Sequence, residues 1–538
     1  MPKSISWYYR PISTPWVKSW TPFILLICAV FATYSNVYGN AFVYDDESLI
    51  VSNQFLRSWH YLGTLFISST TAGDNVVSTY YRPLQILVYL IIFQIASLSQ
   101  FAFHIVNISL HAANSCLVYK LGRKLNFIPL AAFLGALLWA LHPLQTESVT
   151  YMSATTETLY TLFCLLGINV LLPDFTPRRT IAAAIFMTLG LVSKESAIIF
   201  PLLAMSCTYL LSKKRFDLKS YFYTWPLWLI AACYIALRFS LSVHGLEPSS
   251  HDNLYNLDYS PFAILSAYFG LFLWPSKLHM EHDFSTIPQI ANVGVITGFA
   301  LISVATAQLL RRQSKNSLPL SWALLWFAST YLLLICAGDV LYEHWMYLPS
   351  IGLCLGLMQA SAAYLEQQRV SKLASLGLAL ALSLALIFAV LTHEQNRVWH
   401  DAISLYTNTF LNGEDAPKQH ANLGEYYTQH GDYEKAVVEY NLAIKLAHNA
   451  AHPSIQMATA HTDLALTMLM MPNSKQNTKA TLAELQEALA IDPNSYRTLQ
   501  ALSNFYNSHG DKNQATLYRK RAEELSRSFM TTPNAVSP

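Results

Sequence analysis

Shortly after the first apolar run of the chain, three carboxylates stand in a row: Phe42-Val43-Tyr44-Asp45-Asp46-Glu47-Ser48, with Asn53 just downstream. Adjacent carboxylates repel one another, so such a run suits a general base, a cation site or a cluster that orients an acceptor. An ordinary solvated acidic loop has the same composition, and residue types alone leave the two readings level. Arg82, in Tyr80-Tyr81-Arg82-Pro83-Leu84, carries a guanidinium whose planar fork matches phosphate oxygens. It equally suits an anchor that reaches from an apolar surface into water. Further ionisable groups interrupt apolar sequence at His142-Pro143-Leu144-Gln145-Thr146-Glu147, at Glu157, at Ser193-Lys194-Glu195 and at Tyr342-Glu343-His344-Trp345-Met346-Tyr347. His104, Asn107 and His111 share one helix face and read as hydrogen-bonding groups between helices. His279, Glu281, His282 and Asp283 match no standard metal spacing, so no metal site is expected. His393-Glu394-Gln395-Asn396-Arg397 lacks the second histidine of a zinc-protease motif and reads as linker. The seven cysteines all lie inside apolar runs without a CxxC pair and read as packing residues.

The elements that must position these groups are apolar helices. The chain has 538 residues, 53% hydrophobic and 12% charged, about half the charge of a soluble domain. That balance excludes a soluble single-domain enzyme. A formal net charge of +2 and 13% aromatic residues exclude a nucleic-acid-binding or disordered chain. With about 20 apolar residues per crossing, spans are expected near 20–37, 102–120, 128–142, 156–172, 180–193, 196–211, 221–241, 292–310, 317–337, 346–364 and 373–391. The first is read as an uncleaved span, not a signal peptide. With the N-terminus in the cytoplasm, seventeen Lys and Arg fall in inside segments, against Arg57, Arg82, Lys194 and Lys277 outside. This bias follows the positive-inside rule. It places 83–98 and 261–275 as surface or re-entrant helices on the outer side. The carboxylate run and the other charged clusters then share one face, together with the C-terminal tail.

The tail differs in kind. Residues 417–443 fit a 34-residue tetratricopeptide unit, with Leu423, Gly424, Tyr427, Gly431, Ala436, Tyr440 and Ala443 at its signature positions. Leu464, Ala465, Met468, Ala488 and Pro493 mark a second unit; Leu502, Tyr506, Gly510, Ala515 and Ala522 mark a third. Three units are about the minimum for a stable stack. An unrelated bundle of helical hairpins is the alternative. Met530–Pro538 reads as frayed. Such arrays bind extended peptides or partner proteins, which makes Tyr427, Tyr440 and Tyr506 candidates for acceptor recruitment.

In this order the motifs resemble the transmembrane and tetratricopeptide-repeat O-mannosyltransferases and their prokaryotic relatives. Those residues are Tyr44-Asp45-Asp46, Tyr81-Arg82-Pro83-Leu84, Phe103-His104…His111, His142-Pro143…Glu147, Ser193-Lys194-Glu195, Trp274-Pro275…Leu278, Glu343…Ser350 and Asn396-Arg397…Trp399. The resemblance implies an all-α membrane protein of the glycosyltransferase C fold over residues 1–395, with an outer loop at 38–101. A repeat domain follows at 396–528, then a flexible tail at 529–538. It implies transfer of a monosaccharide, mannose or another hexose, from a polyprenyl-phosphate carrier to Ser or Thr of a protein on the non-cytoplasmic face. No cofactor is implied, and a divalent metal is unsupported. Asp45 matches the first-loop catalytic aspartate, with Asp46 orienting the acceptor or supporting it; the pair is not ranked. Arg82, Lys194 and Arg238 are the candidates to neutralise the donor phosphate. His142, Glu195, Glu343, His344 and Tyr347 are further donor-site candidates. The family often carries Arg where this chain has His344, which weakens phosphate binding by that loop. Two other readings are a ligase or polymerase of lipid-linked glycans and a non-enzymatic membrane scaffold. Without an N-glycosylation sequon in any outer loop, the reading leans to a bacterial inner membrane with a periplasmic site, against the endoplasmic reticulum. Partners would be the bilayer, the lipid-linked donor and the acceptor protein, with no nucleic acid.

Overall fold

The computed structural model describes residues 20–74, 80–172, 175–211, 222–243, 261–283, 317–335, 340–368, 371–413, 415–448, 455–472 and 477–530. The span expected at 292–310, the basic segments within 1–19, 212–221 and 311–316, and the tail 531–538 lie outside the described residues. Among the described residues the chain is helical except for one antiparallel pair, β1 (His282–Asp283) with β2 (Val340–Leu341). It divides into two units: Met1–Ile235 with His251–Asp401, and Ala236–Ser250 with Ala402–Pro538.

The helices up to residue 395 are α1 (Thr21–Thr33), α2 (Pro83–Ala96), α3 (Gln100–Lys124), α4 (Pro129–Leu141), α5 (Thr146–Thr150), α6 (Thr155–Leu171), α7 (Pro177–Leu191), α8 (Phe200–Leu211), α9 (Trp225–Val243), α10 (Pro261–Leu273), α11 (Ser317–Ile335), α12 (Pro349–Gln368) and α13 (Ser371–Gln395). Proline in the first turn starts several of them, because its missing N–H is no loss there. Ten of the eleven expected spans fall on these helices, and 83–98 and 261–275 form α2 and α10. By length and composition, Gln100–Lys124, Met152–Leu171 and Lys372–Trp399 are long and apolar enough to cross a membrane. The other apolar helices that carry expected spans include shorter ones such as α1 and α4.

The core of this unit is built around α3 and α4. Trp139, Leu141, Leu144, Phe200 and Tyr347 are buried in one continuous apolar cluster. Gly352 and Gly356 on α12 let α11 approach closely. A methyl at Gly352 would stand 2.6 Å from the Trp326 ring, and one at Gly356 would collide with Ala323. The polar face of α3 is spent on neighbouring helices and turns, as its spacing predicted. The Asn107 amide donates to Tyr151 O at 3.4 Å and accepts from Thr155 Oγ1 at 2.6 Å. His111 donates through Nε2 to Ala140 O at 2.9 Å while its Nδ1 faces the Tyr347 hydroxyl at 2.7 Å. Asn114 donates to Thr158 O at 2.8 Å. These bonds hold the 142–158 segment, and so the site, against the rigid centre of the bundle.

The second unit continues with α14 (Ala402–Asn412), then α15 (Pro417–Gln429), α16 (Tyr433–His448), α17 (Ile455–Met470), α18 (Thr478–Ile491), α19 (Tyr496–Ser508) and α20 (Lys512–Met530). Gly431 and Gly510 take positive φ in the turns before α16 and α20, a conformation that suits glycine. The Tyr440 ring fills the space over Gly424, and Leu464 packs in the same cluster. Tyr440 is 1% exposed, which corrects its assignment to acceptor recruitment: it is a packing residue. Tyr427 and Tyr506 are half-buried, the latter stacked on Tyr518 at 5.7 Å.

Buried Asp463 lies 2.7 Å from the Arg497 guanidinium. Burial pushes its carboxyl up to about 7, Arg497 opposes this, and Glu425 adds to it. The folded state therefore binds this proton more tightly than the unfolded chain. Its stabilising contribution is complete below the ordinary carboxylate range near pH 4 and is lost as pH rises through about 7. Thermal unfolding of the full chain should fall between about pH 5 and about pH 8, and Asp463→Asn should flatten that slope.

Candidate functional site

The carboxylate run begins where the chain leaves α1 and turns back. Val43 and Asp46 close a tight turn, with Asp46 N–H donating to Val43 O at 3.1 Å. Tyr44 takes φ +56 within it. A left-handed aromatic residue is costly and persists only where its surroundings hold it. Here the Tyr44 hydroxyl donates to Glu281 Oε1 at 3.0 Å, and the Tyr342 hydroxyl donates to the same oxygen at 2.9 Å. Glu281 and Lys277 also have positive φ, both at +58. Three of the five non-glycine residues with positive φ among the described residues thus lie on two loops joined at Glu281.

The structure separates the two aspartates. Asp46 is wholly buried. Its Oδ2 accepts the Val43 N–H at 3.0 Å; its Oδ1 accepts the Ser153 N–H at 2.7 Å and the Ser153 hydroxyl. Burial pushes its carboxyl up to about 7, against the pull of those hydrogen bonds. Asp45 is exposed. Its N–H donates to the Tyr151 hydroxyl at 3.1 Å. Asp46 is the staple of the turn, and Asp45 is the carboxylate presented outward.

The remaining charged clusters form a chain of contacts. Arg82 grips Glu195 with two hydrogen bonds, Nε to Oε2 at 3.2 Å and Nη2 to Oε1 at 2.6 Å, and its guanidinium lies 4.5 Å from the Tyr80 ring centre. Glu195 feels burial pushing it up, but the Arg82 charge wins and holds it at about 2. The preceding residue, Lys194, is buried on Glu157. His344 Nε2 stands 3.6 Å from the same Glu157 oxygen, and its Nδ1 stands 2.8 Å from Glu147 Oε1. The His344 backbone N–H donates to Glu147 Oε2 at 2.8 Å. Burial favours a neutral Glu147, yet His344 beside it keeps the carboxyl below its usual range.

Glu343 accepts the His279 N–H at 2.8 Å and the His282 Nε2 hydrogen at 2.9 Å. Burial, then the Glu147 charge, raises the Glu343 carboxyl well above the ordinary range, while burial lowers His282 to about 4. The β1–β2 ladder brings the 279–283 segment beside the late loop. Among the described residues no three His, Cys, Asp or Glu side chains form a group that could hold a metal ion.

Two predicted donor residues are committed elsewhere. His142 accepts the Leu144 N–H at Nδ1 and donates from Nε2 to Phe272 O at 3.0 Å, so neither nitrogen is left for a ligand. The Tyr347 hydroxyl is buried between His111 and Asn114. Arg238 stands on α9 in the segment 236–250 that groups with the second unit.

A protein O-mannosyl-transferase of Caenorhabditis elegans is 23% identical over 452 residues, covering 79% of this chain and 62% of that protein. Mouse protein O-mannosyl-transferase TMTC3 is 23% identical over 507 residues, covering 84% and 53%. Human TMTC4 is 30% identical over 169 residues, covering 28% and 22%. The chain is similar to the protein O-mannosyl-transferases. It spans between a half and two thirds of the length of the first two of these relatives. No protein-family model matches. Two solved structures overlap loosely: an Archaeoglobus fulgidus oligosaccharyltransferase tethered to an acceptor peptide (TM-score 0.38, 12% identity, 79% of this chain and 59% of that one) and Cupriavidus metallidurans ArnT bound to undecaprenyl phosphate (TM-score 0.35, 11% identity, 95% and 78%).

The similarity to O-mannosyl-transferases agrees with the family read from the motif order. The residues that sequence reasoning missed are Tyr151, Ser153 and Glu281 as partners of the carboxylate run. Tyr151 and Ser153 directly follow the His142…Glu147 motif in unusually polar sequence, which was the available signal. For Glu281 there was none beyond its charge, since 237 residues separate it from Tyr44.

Proposed function

We propose that this chain is an integral-membrane glycosyltransferase of the C fold. It moves a monosaccharide, mannose or another hexose, from a polyprenyl-phosphate carrier to Ser or Thr hydroxyls of a protein. Asp45 accepts the hydroxyl proton as the oxygen bonds to the anomeric carbon. The bond from that carbon to the phosphate oxygen breaks, and the lipid phosphate leaves with the electron pair. The observation that carries this reading is the division of labour in the first loop: Asp46 is buried and bonded on both oxygens, while Asp45 is exposed and fixed through its N–H. Arg82 and Lys194 then serve the leaving phosphate, which gains charge in the transition state. Each is held by a glutamate, so the phosphate displaces Glu195 from the Arg82 fork.

In the same reading, eleven spans carry the site to the non-cytoplasmic face of a bacterial inner membrane. The helix pairs after residue 402 are tetratricopeptide repeats that recruit the acceptor. The test uses purified full-length protein in lipid discs with a polyprenyl-phosphate hexose and candidate acceptors, read by intact mass. Addition of single hexoses supports the proposal. Transfer of a whole lipid-linked glycan favours a ligase, and absence of any transfer favours a scaffold.

A further inference from the structure

We propose that Asn396 and Trp399 are positioning residues for Asp45, so that the turn ending the last helix of the membrane body sets the geometry of the catalytic loop. The proposal rests on the reading of Asp45 as the general base.

In sequence, His393–Arg397 reads as linker, but Asn396–Trp399 is folded into the base of the first loop. Asn396 is wholly buried, and both polar atoms of its side chain are hydrogen-bonded. Its amide donates to Thr33 O at 3.2 Å and to Asn36 Oδ1 at 2.8 Å, and its Oδ1 accepts from Thr150 Oγ1 at 2.9 Å. The Asn396 carbonyl accepts from the Asn40 amide at 3.1 Å. Next along, the Ala41 N–H donates to His400 O at 2.8 Å. A linker needs none of these bonds. A buried primary amide is tolerated only where such partners are fixed.

Two routes lead from this turn to Asp45. One is the main chain: Ala41 is pinned to His400, and Asp46 is pinned to Ser153, so both ends of the short stretch containing Asp45 are held. The other is aromatic. The Trp399 indole stacks on Tyr151 with ring centres 5.0 Å apart and planes 22° apart. The hydroxyl of that same Tyr151 accepts the Asp45 N–H at 3.1 Å. Thr150, bonded to Asn396, is the neighbour of Tyr151 in the chain, so one turn fixes that tyrosine from its backbone side and its ring face. Asn396 and Trp399 touch no reacting atom; they act through Tyr151 and the 41–46 turn.

The experiment compares full-length Asn396→Ala, Trp399→Phe and Tyr151→Phe with wild type and with Asp45→Asn in lipid discs. For each, kcat, donor KM and the unfolding midpoint are measured with a polyprenyl-phosphate hexose. A base displaced by about 1 Å loses on the order of 100-fold in rate. Asn396→Ala should therefore lower kcat by about 10- to 100-fold with donor KM unchanged. Tyr151→Phe removes one hydroxyl and keeps the stacking, so it should lower kcat with an unchanged unfolding midpoint, a result no purely structural role gives. Should Asn396→Ala fail to fold, Tyr151→Phe and Trp399→Phe decide the matter. Wild-type kcat in both of these, with Asp45→Asn inactive, overturns the positioning role. Activity in Asp45→Asn overturns the base assignment instead.

Discussion

Asp45→Asn is expected to abolish sugar transfer while leaving the protein folded and inserted in the membrane. The change keeps the backbone N–H that donates to Tyr151 and alters only an exposed side chain. What it removes is the basic oxygen. General-base catalysis contributes about 100- to 10,000-fold, so residual transfer should fall to the limit of detection in an intact-mass assay. Asp46→Asn is the informative contrast. Both Asp46 oxygens accept hydrogen bonds, and an amide sets N–H donors against donors there. That variant should lose stability together with activity. If Asp45→Asn transfers sugar at the wild-type rate, the catalytic assignment fails.

The second large effect concerns Lys194. Its ammonium is buried against Glu157, which is 1% exposed. Lys194→Met leaves the Glu157 carboxylate facing an apolar side chain, with the His344 ring 3.6 Å away. Breaking a buried pair from one side costs about 3–5 kcal/mol, because the remaining charge has lost its compensation. A sharp fall in the unfolding midpoint follows. Replacing both partners, Lys194→Met with Glu157→Gln, removes both charges and should recover most of that stability. The double variant then isolates function. If Lys194 neutralises the donor phosphate, transfer stays lost in a protein that is stable again. Recovery of transfer along with stability would confine Lys194 to a structural part.

Much of this was legible in the residues because lipid-matched sequence makes each ionisable group conspicuous. The α3 stripe of His104, Asn107 and His111 was read as interhelical bonding, and Asn107 and His111 bond in that way. Arg82, the Lys194-Glu195 pair and the Glu343-His344 pair were flagged as separate clusters on one face; Arg82 bonds Glu195, and Lys194 and His344 meet at Glu157. Their pairing was not legible, since pairing depends on loops that meet across long separations, such as Arg82 with Glu195. The burial of Asp46 and the exposure of Asp45 were not legible either. Two identical side chains differ here only because the turn sends one inward to Ser153. His142 was a donor-site candidate by resemblance, but its ring caps the following turn and fills its second bond on Phe272.

The anchoring of Asn396 to Thr33 spans 363 positions in the chain. The ribosome delivers these two partners far apart in time, at about 5–20 residues per second, so roughly 20 to 70 seconds pass between them. Throughout that interval the nascent first loop has neither the Asn396 turn nor Trp399 to hold it. The geometry of the first loop is therefore completed late in biogenesis, after the helix that ends at Gln395 has been made. A chain interrupted before residue 396 would carry every carboxylate of the first loop and still lack the turn that fixes them.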